Sequence, residues 1–472
     1  MRDGETEGQR DGEIEILKRR GKRGALRCAG WGLHFLCGPR IHAGTMDKFL
    51  IRGGAALEGT VSVSGSKNSS LPILAATLLT RDTCVIRRVP DLSDTNYMTQ
   101  ILAQLGASVE RASGTVEVRA EKVTHIAPYD LVRKMRASIC VLGPLYGRLG
   151  KCTISLPGGC VIGDRPIDIH LRGLQELGAE LETKGGDILL KARARGRAKK
   201  AAGGAREINM RGKHGPTVLG TDNLLMAAVL AKGSTIIDGA AAEPEVEDLA
   251  DFLIKMGAKI EGAGTRRIVV EGVKELHGAE HTVIPDRIEA GTFLVAGAIA
   301  GKKVTLKRAN AQHLAAVIAK LRESGFEIDV TAREITIHGR ERWKGGALTT
   351  EPYPGFPTDM QAQFCALYAL ADGMSAVTET IFPERFMHLP ELNRLGASIS
   401  REGATAIITG VPTLGGAPVM ASDLRASAAL VLAALRAEGE TEINRVYHID
   451  RGYEHIDEKL TALGADIQRV QV

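Results

Sequence analysis

The chain has 472 residues, a formal net charge of +5, 44% apolar residues and 25% charged residues. This length predicts two or three domains, and the composition is that of a globular protein rather than a disordered or fibrous one. No apolar run approaches the ~20 residues that a membrane helix needs. Aromatic residues are only 4%, without an interleaved basic stripe, so we expect neither a membrane nor a nucleic-acid partner.

The cysteines do not form a recognisable disulfide or metal pattern. They are odd in number and include neither a CxxC pair nor a Cys/His cluster with zinc spacing. The seven are Cys28, Cys37, Cys84, Cys140, Cys152, Cys160 and Cys365. We therefore expect a reducing, cytoplasmic location, no structural disulfide and no bound metal.

Residues 1–45 differ from the rest of the chain. They are charged and glycine-rich, and Arg27 and His34 interrupt the one stretch that resembles a signal peptide. We expect a disordered extension, or sequence upstream of a functional start at Met46, with a targeting segment as the alternative.

One helix-ending pattern occurs six times in the remaining sequence. In each copy, apolar residues at helical spacing lead to a glycine, and an alternating segment follows, as in LAQLGASVE. The pattern predicts a helix that ends at a left-handed glycine and is followed by a strand. The glycines lie 68 to 79 residues apart and are Gly106, Gly178, Gly257, Gly325, Gly396 and Gly464.

Each repeat also contains a second helix, which is apolar around most of its circumference and should be buried. Examples are SSLPILAATLL, MRASICVLGPLYG and LRASAALVLAAL, and short β segments such as STIID and KVTLK lie between the helices. Six units of about 70 residues predict two domains of three units each, with helices inside and sheets outside. A solenoid is the alternative, but its repeats are usually ~20–50 residues long.

The basic stretch 192–216 has the weakest periodicity and is predicted to be a loop. It is either a solvated surface loop or a segment that attracts phosphate.

The segment TVSVSGSKNSSLPILAATLL predicts a strand, a turn and a helix. Asn68 or Ser69 can cap this helix, and Pro72 falls in its first turn, where a missing N–H costs little. Lys67 beside the helix N-terminus would form an anion site, although the P-loop pattern is absent. By itself, Lys67 is more often a surface lysine.

Two later helices contain the sequence Arg-Ala-Ser, with Arg136 in MRASIC and Arg425 in LRASAAL. A guanidinium group can bind a carboxylate or a phosphate through two hydrogen bonds. Both arginines are therefore candidate anion ligands, with an ordinary ion pair at a helix start as the alternative.

The segment CTISLPGGCVIGDRPIDIHLRGLQELG predicts a strand that ends at Leu156, a glycine-rich loop around Cys160, and a helix with Pro166 at its first position. A glycine-rich loop buries a side chain poorly, and Arg165 is close enough in sequence to lower the pKa of the thiol. We therefore predict a reactive cysteine, with a buried, inert thiol as the alternative.

The segment EPYPGFPTDMQAQFCALYALADG places Thr358 as a predicted helix cap and Asp359 at the helix start. The helix dipole favours an ionised carboxylate there, which can accept a proton as a weak base. Simple capping is the alternative. Downstream, TIFPERFMHLPELNRLG places Arg385 before an amphipathic helix.

From about Met46 to the C-terminus, six motifs together resemble the UDP-N-acetylglucosamine 1-carboxyvinyltransferases of the enolpyruvyl transferase family. They are SGSKNSSLPIL, MRASI, LPGGCVIGDRPIDIH, PGFPTDMQAQ, ERFMHLPELNRLGA and DLRASAALVLA. The resemblance implies an α/β fold of two inside-out α/β barrel domains, each of three repeated units with buried helices and outer sheets.

The resemblance also implies how the domains and the site are arranged. Residues 46–66 and 286–472 would form the domain that carries the catalytic aspartate, and residues 67–285 the domain that carries the cysteine loop. The chain would cross between them near Lys67 and near residue 285, with the active site in the cleft. No metal and no organic cofactor is implied, and we expect a monomer.

Roles follow from the resemblance residue by residue. Cys160 corresponds to the cysteine that protonates phosphoenolpyruvate and forms a covalent adduct, and Asp359 to the presumed base near the sugar 3′-hydroxyl. The residues that would hold phosphoenolpyruvate are Lys67, Arg136, Arg165 and Arg425, with Asn68 and Arg385 as further cleft residues. The nucleotide-sugar contacts would be Arg165, Pro166, Ile167, Asp168, Ile169, Asp359 and Ile381, together with Thr217 and Val218, where TVLGTDN departs from the family pattern.

The implied reaction transfers the enolpyruvyl group of phosphoenolpyruvate to UDP-N-acetylglucosamine and releases phosphate, the first committed step of peptidoglycan precursor synthesis. Two alternatives remain. One is the related shikimate-pathway enolpyruvyl transferase, which the PGGC loop and the TDMQAQ context argue against. The other is a catalytically idle paralogue that binds a nucleotide sugar, which the presence of the catalytic set argues against.

Overall fold

The computed structural model describes residues 47–158, 167–193, 205–213 and 215–471. The predictions for residues 1–45 and for Cys160, Arg165 and Pro166 fall outside these ranges. Within the described part of the chain, no helix is both long and apolar enough to cross a membrane.

The helices fall into a buried set and an outer amphipathic set, as the sequence predicts. In chain order they are α1 Lys67–Ala76, α2 Ser93–Gln104, α3 Tyr129–Val132, α4 Leu142–Leu149, α5 Asp168–Glu176, α6 Val218–Ala228, α7 Pro244–Lys255, α8 Arg287–Ala300, α9 Ala315–Glu323, α10 Gln361–Tyr368, α11 Leu389–Arg394, α12 Leu424–Ala434 and α13 Ile456–Ala462. Short 3₁₀ helices span Thr77–Leu79, Arg136–Val141, Ala311–Leu314, Thr358–Met360 and Val446–His448.

The strands are short and follow the helices at regular intervals. They are β1 Lys48–Arg52, β2 Leu57–Ser62, β3 Thr83–Arg87, β4 Ser108–Ala112, β5 Thr115–Arg119, β6 Lys151–Ser155, β7 Ala179–Lys184, β8 Asp187–Ala192, β9 Arg206–Asn209, β10 Arg211–Gly212, β11 Gly215–Pro216, β12 Ser234–Asp238, β13 Lys259–Glu261, β14 Arg267–Glu271, β15 Glu280–Thr282, β16 Gly301–Lys307, β17 Glu327–Val330, β18 Glu334–His338, β19 Ala347–Thr349, β20 Met374–Thr378, β21 Ser398–Glu402, β22 Thr405–Thr409, β23 Pro418–Met420, β24 Glu440–Asn444 and β25 Asp466–Val470.

Five small sheets share one topology and a sixth is a shortened version of it, which is the structural form of the sequence repeat. In the order β15-β3-β5-β4, the first pair is parallel and the other two are antiparallel. The orders β13-β14-β12-β9, β17-β18-β16-β2, β19-β20-β22-β21 and β23-β24-β1-β25 contain the same kinds of pairs. The sixth sheet, β6-β8-β7, has only an isolated parallel bridge between Ile126 and Thr153 where the others have a parallel strand.

Two separate hydrophobic cores lie under these sheets. Within the described residues, one core contains apolar side chains from 49–63 and 288–467, and the other contains side chains from 71–283. Helices α8, α10 and α12 pack against one another in the first core, and α6 contacts α1 and α4 in the second. Nearly every residue of α1, α6, α8, α10 and α12 is buried, which explains why their sequences are apolar on all faces.

The chain passes between the two cores twice, and the two crossing segments lie side by side. The N–H of Ser66 donates to the carbonyl of Ile284 at 2.7 Å, and the N–H of Asp286 donates to the carbonyl of Ser64 at 2.9 Å. Gly65 stands between them because a Cβ there would lie 1.8 Å from the carbonyl oxygen of Arg88. This paired crossing places Lys67 at the junction.

The repeated glycines adopt the predicted left-handed conformation. All six have φ between +92° and +115°. The residue after the glycine closes a Schellman hydrogen bond in five copies, as in the 3.0 Å bond from the N–H of Ala107 to the carbonyl of Leu102. The glycine therefore ends each outer helix and turns the chain into the next strand.

We expect Gly464→Ala to lower the free energy of unfolding by about 1–2 kcal/mol, because an L side chain is strained at φ +101°. Steric crowding is not the cause, since the nearest atom to an added Cβ, the carbonyl oxygen of Ala56, lies 3.7 Å away. Urea-induced unfolding measures the change. Gly415→Ala is the control, because that site is open and has an ordinary φ, and equal losses in both variants would contradict the explanation.

The prediction that 192–216 is a loop was wrong in its second half. Residues Arg206–Asn209 form β9, which pairs in parallel with β12, and Arg211–Gly212 pairs with Gly215–Pro216. Ile208 is buried in the sheet, so one apolar contact and the edge of β12 outweigh the basic, glycine-rich surroundings. Residues 194–204 lie outside the described ranges.

Candidate functional site

Lys67 is the first residue of α1, directly after the crossing segment. It is 9% exposed, and its Nζ lies 2.8 Å from Oδ2 of Asp94. Its backbone N–H donates to Oδ2 of Asp286 at 3.0 Å, while Oδ1 of the same aspartate caps α8. The interpretation of Lys67 as a surface lysine was therefore wrong, since both its charge and its backbone are fixed at the junction.

The N-terminus of α1 differs from the prediction in detail. Ser66 is the N-cap and accepts a hydrogen bond from the N–H of Ser69 at 3.2 Å, so neither Asn68 nor Ser69 is the cap. The helix starts at Lys67, and Pro72 consequently lies in its second turn. Asn68, the second helical residue, is half-buried. Pairing of Ser66 with the second crossing segment shifts the helix start toward the N-terminus.

Asp359 lies between two arginines that are distant in sequence. Its Oδ1 accepts from Nη1 of Arg385 at 2.8 Å, and its Oδ2 is 3.2 Å from Nη2 of Arg425. Burial by itself would raise the pKa of Asp359, but the charges of Arg385, Arg425 and Lys67 hold it well below its usual range. The structure thus brings two of the predicted site residues, Arg385 and Arg425, into contact with a third, the ionised Asp359, and Lys67 acts on this carboxylate through its charge.

Thr358 does not cap a helix, which corrects the sequence prediction. Thr358 and Asp359 belong to a 3₁₀ turn that precedes α10, and the hydroxyl of Thr358 donates to Oε2 of Glu379 at 2.8 Å. The buried carboxylate of Glu379 competes successfully for the hydroxyl proton.

Arg425 is 1% exposed and lies in the first turn of α12, whose N-cap is Asp423. Its guanidinium carbon lies 5.1 Å from the centre of the Tyr453 ring, a cation–π contact. Its Nη1 is buried and has no hydrogen-bond partner among the described residues. A buried donor of this kind is suited to an anionic oxygen, because leaving it unpaired is costly.

The other predicted residues lie at the starts of neighbouring elements. Arg136 is half-buried and begins the 3₁₀ helix Arg136–Val141, which packs on α1. Thr217 caps α6 through a 3.2 Å bond from the N–H of Gly220, and Val218 is the first residue of that helix. None of the described hydrogen bonds of Thr217 and Val218 reaches Asp359, Arg385 or Arg425.

Ile169, one of the predicted nucleotide-sugar residues, lies against the β10–β11 hairpin. Buried Ile167 precedes α5, whose first two residues are the exposed Asp168 and the half-buried Ile169. A Cβ on Gly212 would lie 2.6 Å from Cδ1 of Ile169, and one on Gly215 would lie 2.9 Å from Cγ of Pro352. The hairpin therefore connects α5 with the loop that leads to Asp359.

Four residues of the cluster were missed by the sequence analysis. Arg451 shares Asp94 with Lys67, since its Nε donates to Oδ1 of Asp94 at 2.9 Å. Tyr453 underlies Arg425, and Glu379 holds Thr358. The sequence did contain a signal for Glu379, because it lies two residues after Val377. The period-two alternation of a strand therefore places it on the same face as the buried Ser375 and Val377.

The described cysteines are free and buried, and they are Cys84, Cys140, Cys152 and Cys365. Burial raises the pKa of Cys84 to about 11 and raises the pKa of the other three thiols as well. We expect iodoacetamide at pH 8 to leave all four unmodified in the folded protein, because the thiolate is the reactive form. Peptide mass mapping before and after unfolding tests this. Modification of these four in the folded protein at the rate of a free thiol would contradict it.

Comparisons with known proteins identify the family. A family model described as EPSP synthase (3-phosphoshikimate 1-carboxyvinyltransferase) matches residues 51–460. The UDP-N-acetylglucosamine 1-carboxyvinyltransferase of Akkermansia muciniphila is 59% identical over 427 residues, which cover 90% of this chain and 99% of that protein. The enzyme of the same name from Methylacidiphilum infernorum is 57% identical over 428 residues, covering 90% of this chain and 99% of that protein.

Solved structures agree on the fold. The enolpyruvyl transferase NikO from Streptomyces tendae matches with a TM-score of 0.81 and 28% identity, covering 91% of this chain and 100% of that one. An EPSP synthase from Acinetobacter baumannii matches with a TM-score of 0.67 and 18% identity, covering 90% and 100%. The inside-out α/β architecture is thus confirmed. The chain belongs to the enolpyruvyl transferase family, and within it to the UDP-N-acetylglucosamine 1-carboxyvinyltransferases.

Proposed function

We propose that this chain transfers the enolpyruvyl group of phosphoenolpyruvate to the 3′-hydroxyl of UDP-N-acetylglucosamine and releases phosphate. The observation that carries the proposal is an ionised Asp359 paired with Arg385 and Arg425, on which the charge of Lys67, at the junction of the two cores, also acts. Phosphoenolpyruvate carries a phosphate and a carboxylate on three carbons, so binding it requires several fixed cations in one place.

The two hydrophobic cores support a matching division into domains. One domain comprises residues 46–66 and 286–472 and carries Asp359, and the other comprises residues 67–285 and carries the Cys160 loop. Lys67 lies where the two cores are joined, which supports an active site in the cleft between the domains. Closure of this cleft would exclude water and bring the Cys160 loop to the substrate.

The donor substrate is bound by cations from both domains. Lys67, Arg136, Arg165 and Arg425 hold the phosphate and the carboxylate. The Nη1 of Arg425, which has no hydrogen-bond partner within the described ranges, supports this role for that residue. Electrostatic stabilisation by such fixed groups contributes more than any other effect to the rate of many enzymes, because the groups need no reorganisation during the reaction.

The reaction proceeds by addition and elimination. Cys160 donates a proton to the methylene carbon of phosphoenolpyruvate, and the sugar 3′-oxygen attacks the adjacent carbon while Asp359 accepts the hydroxyl proton. The tetrahedral intermediate then loses phosphate, and the Cys160 thiolate takes back a proton from the new methyl group, which restores the double bond and the thiol. The covalent adduct forms when the sulfur, rather than the sugar oxygen, adds to the same carbon.

Asp359 is a poor proton acceptor while two arginines neutralise it. When phosphoenolpyruvate binds, its negative charges share Arg425 and Lys67 with Asp359, and this raises the pKa of the carboxyl group. The base therefore becomes effective only when the donor substrate is present.

Residues of both domains contact the nucleotide sugar. The contacts to the nucleotide sugar come from Arg165, Pro166, Ile167, Asp168, Ile169, Thr217, Val218 and Ile381, with Asn68 and Arg385 as further cleft residues.

The enzyme acts in the cytoplasm as a monomer, in the first committed step of peptidoglycan precursor synthesis. It thereby supports cell-wall biogenesis, cell shape and cell division.

The deciding experiment supplies phosphoenolpyruvate with either UDP-N-acetylglucosamine or shikimate 3-phosphate as acceptor. Phosphate release and product mass are followed. We expect phosphate and a product enlarged by one enolpyruvyl group only with the nucleotide sugar. Turnover with shikimate 3-phosphate would favour the related transferase, and binding of the nucleotide sugar without turnover would favour an idle paralogue.

A further inference from the structure

Glu379 is a buried carboxylate held by neutral donors. It follows β20 and is 0% exposed. Its Oε1 accepts from the hydroxyl of Thr350 at 2.7 Å and from the N–H groups of Ile381 and Phe382 at 2.8 and 3.0 Å, and its Oε2 accepts from the hydroxyl of Thr358 at 2.8 Å. Within the described residues, no lysine or arginine forms an ion pair with it. Four fixed donors replace the water that burial removes.

The bond from Thr358 sets the direction of a longer chain of hydrogen bonds. A hydroxyl has a single proton, and Thr358 gives it to Glu379. The hydroxyl oxygen can then only accept from Nη1 of Arg385, which lies 3.0 Å away. The same Nη1 donates to Oδ1 of Asp359 at 2.8 Å. Glu379 thus fixes the position of Arg385 and, through it, the carboxylate of Asp359.

The other bonds from Glu379 fix the turn that follows β20. The N–H groups of Ile381 and Phe382 both point to its Oε1. The N–H of Thr380 donates to the hydroxyl oxygen of Thr350 at 2.9 Å, and the proton of that hydroxyl goes to Glu379. The turn that carries Ile381 is consequently locked to the same carboxylate that orients Asp359.

We propose that Glu379 is a positioning residue for the acceptor substrate, which aligns Asp359 and the Ile381 turn with the nucleotide sugar. This inference rests on the proposed function, in which these two residues contact UDP-N-acetylglucosamine. The cations that would hold phosphoenolpyruvate, Lys67 and Arg425, make none of their described hydrogen bonds to Glu379. Loss of Glu379 should therefore affect the acceptor more than the donor.

Glu379→Gln and Thr358→Val test the two ends of the chain. In Glu379→Gln, an amide NH₂ group that faces Thr358 would turn the hydroxyl proton toward Arg385, and Thr358→Val removes the hydroxyl altogether. We expect each variant to lose roughly 10–100-fold in kcat/KM for UDP-N-acetylglucosamine, while KM for phosphoenolpyruvate changes less than about threefold. The kcat/KM of the double variant should lie within about threefold of the lower single-variant value, because both changes break the same chain of hydrogen bonds.

Thr378→Val is the matched control. It removes a threonine hydrogen bond in the same sheet, the 2.9 Å contact with Thr405, without touching Glu379. We expect its kcat/KM to stay within about twofold of the wild-type value. Calorimetric binding of UDP-N-acetylglucosamine to all variants supplies a readout that needs no turnover, and we expect weaker binding in the two test variants only.

The inference is overturned if both test variants keep wild-type kinetics and nucleotide-sugar affinity, if KM for phosphoenolpyruvate rises as much as KM for the nucleotide sugar, or if the two losses multiply. If Glu379→Gln does not fold, Thr358→Val by itself still tests the first two outcomes, and wild-type kinetics and affinity in this variant then overturn the inference. A wild-type protein that binds the nucleotide sugar but transfers nothing would contradict the proposed reaction. The calorimetric affinities of the variants would still test whether Glu379 positions the nucleotide-sugar site.

Discussion

Asp359→Asn is expected to lower kcat by about 10²–10³-fold, because an amide cannot accept the proton of the sugar hydroxyl. The amide keeps the size of the side chain, so KM for both substrates should change much less than kcat. Steady-state kinetics with each substrate varied in turn measures the change. Asp372→Asn is the control, since Asp372 pairs with the exposed Arg342 away from the cluster and should leave kcat unchanged.

The same substitution has a stability consequence whose sign follows from the pKa of Asp359. The folded protein holds this pKa below its usual range, so the charge contributes stability above the unfolded pKa of about 4 and loses it as the pH falls further. The substituted amide also leaves two buried arginines uncompensated, at a cost of about 3 kcal/mol near neutral pH. The difference in unfolding free energy between wild type and variant should therefore narrow between pH 7 and pH 3.

Two outcomes would contradict this account of Asp359. A variant with wild-type kcat would remove the carboxylate from the proton transfer. A difference in unfolding free energy between wild type and variant that stays constant from pH 7 to pH 3 would mean that the charge of Asp359 does not stabilise the folded protein.

Local features of the fold were predictable from sequence because their causes are local. Each outer helix ends at a glycine such as Gly257 or Gly464, where the chain adopts positive φ. A glycine between a helical and an alternating pattern is sufficient to predict this geometry. The buried helices were equally predictable, because a helix with apolar residues on every face is stable only when all of its faces are packed against other elements.

Contacts between distant residues were not predictable in the same way. Asp94 and Arg451 are 357 positions apart, and Lys67 and Asp286 are 219 apart. No periodicity in the sequence connects such residues, because their meeting depends on how the two cores are joined. Lys67 was identified only by its motif, whereas Arg451 was missed altogether.

The capping predictions show the same limit on a smaller scale. Thr358 precedes Asp359 at what looks like a helix start, and a threonine there normally caps. Glu379 offers a buried acceptor that lies 21 positions further along the chain, and it takes the hydroxyl proton instead. A tertiary contact has thus replaced a local one at a site where geometry serves the proposed reaction.

Cys160→Ser is expected to lower kcat by about 10²–10³-fold near pH 7–8, because a serine hydroxyl is a much weaker acid than a thiol and cannot protonate the methylene carbon efficiently. Serine keeps nearly the same size and polarity, so KM for UDP-N-acetylglucosamine should change little. Kinetics across the working pH range are needed, since an acid role predicts a loss at every pH where the thiol would carry its proton.

Chemical modification separates Cys160 from the buried thiols. Iodoacetamide should inactivate the wild-type enzyme in step with modification of Cys160, and it should not lower the residual activity of Cys160→Ser. Cys84→Ala is the matched control, because that thiol is buried and its pKa is raised to about 11, so the variant should keep wild-type activity and remain sensitive to the reagent. Full activity of Cys160→Ser at all pH values would remove the thiol from the proton transfer and leave the methylene carbon without the acid that the reaction requires.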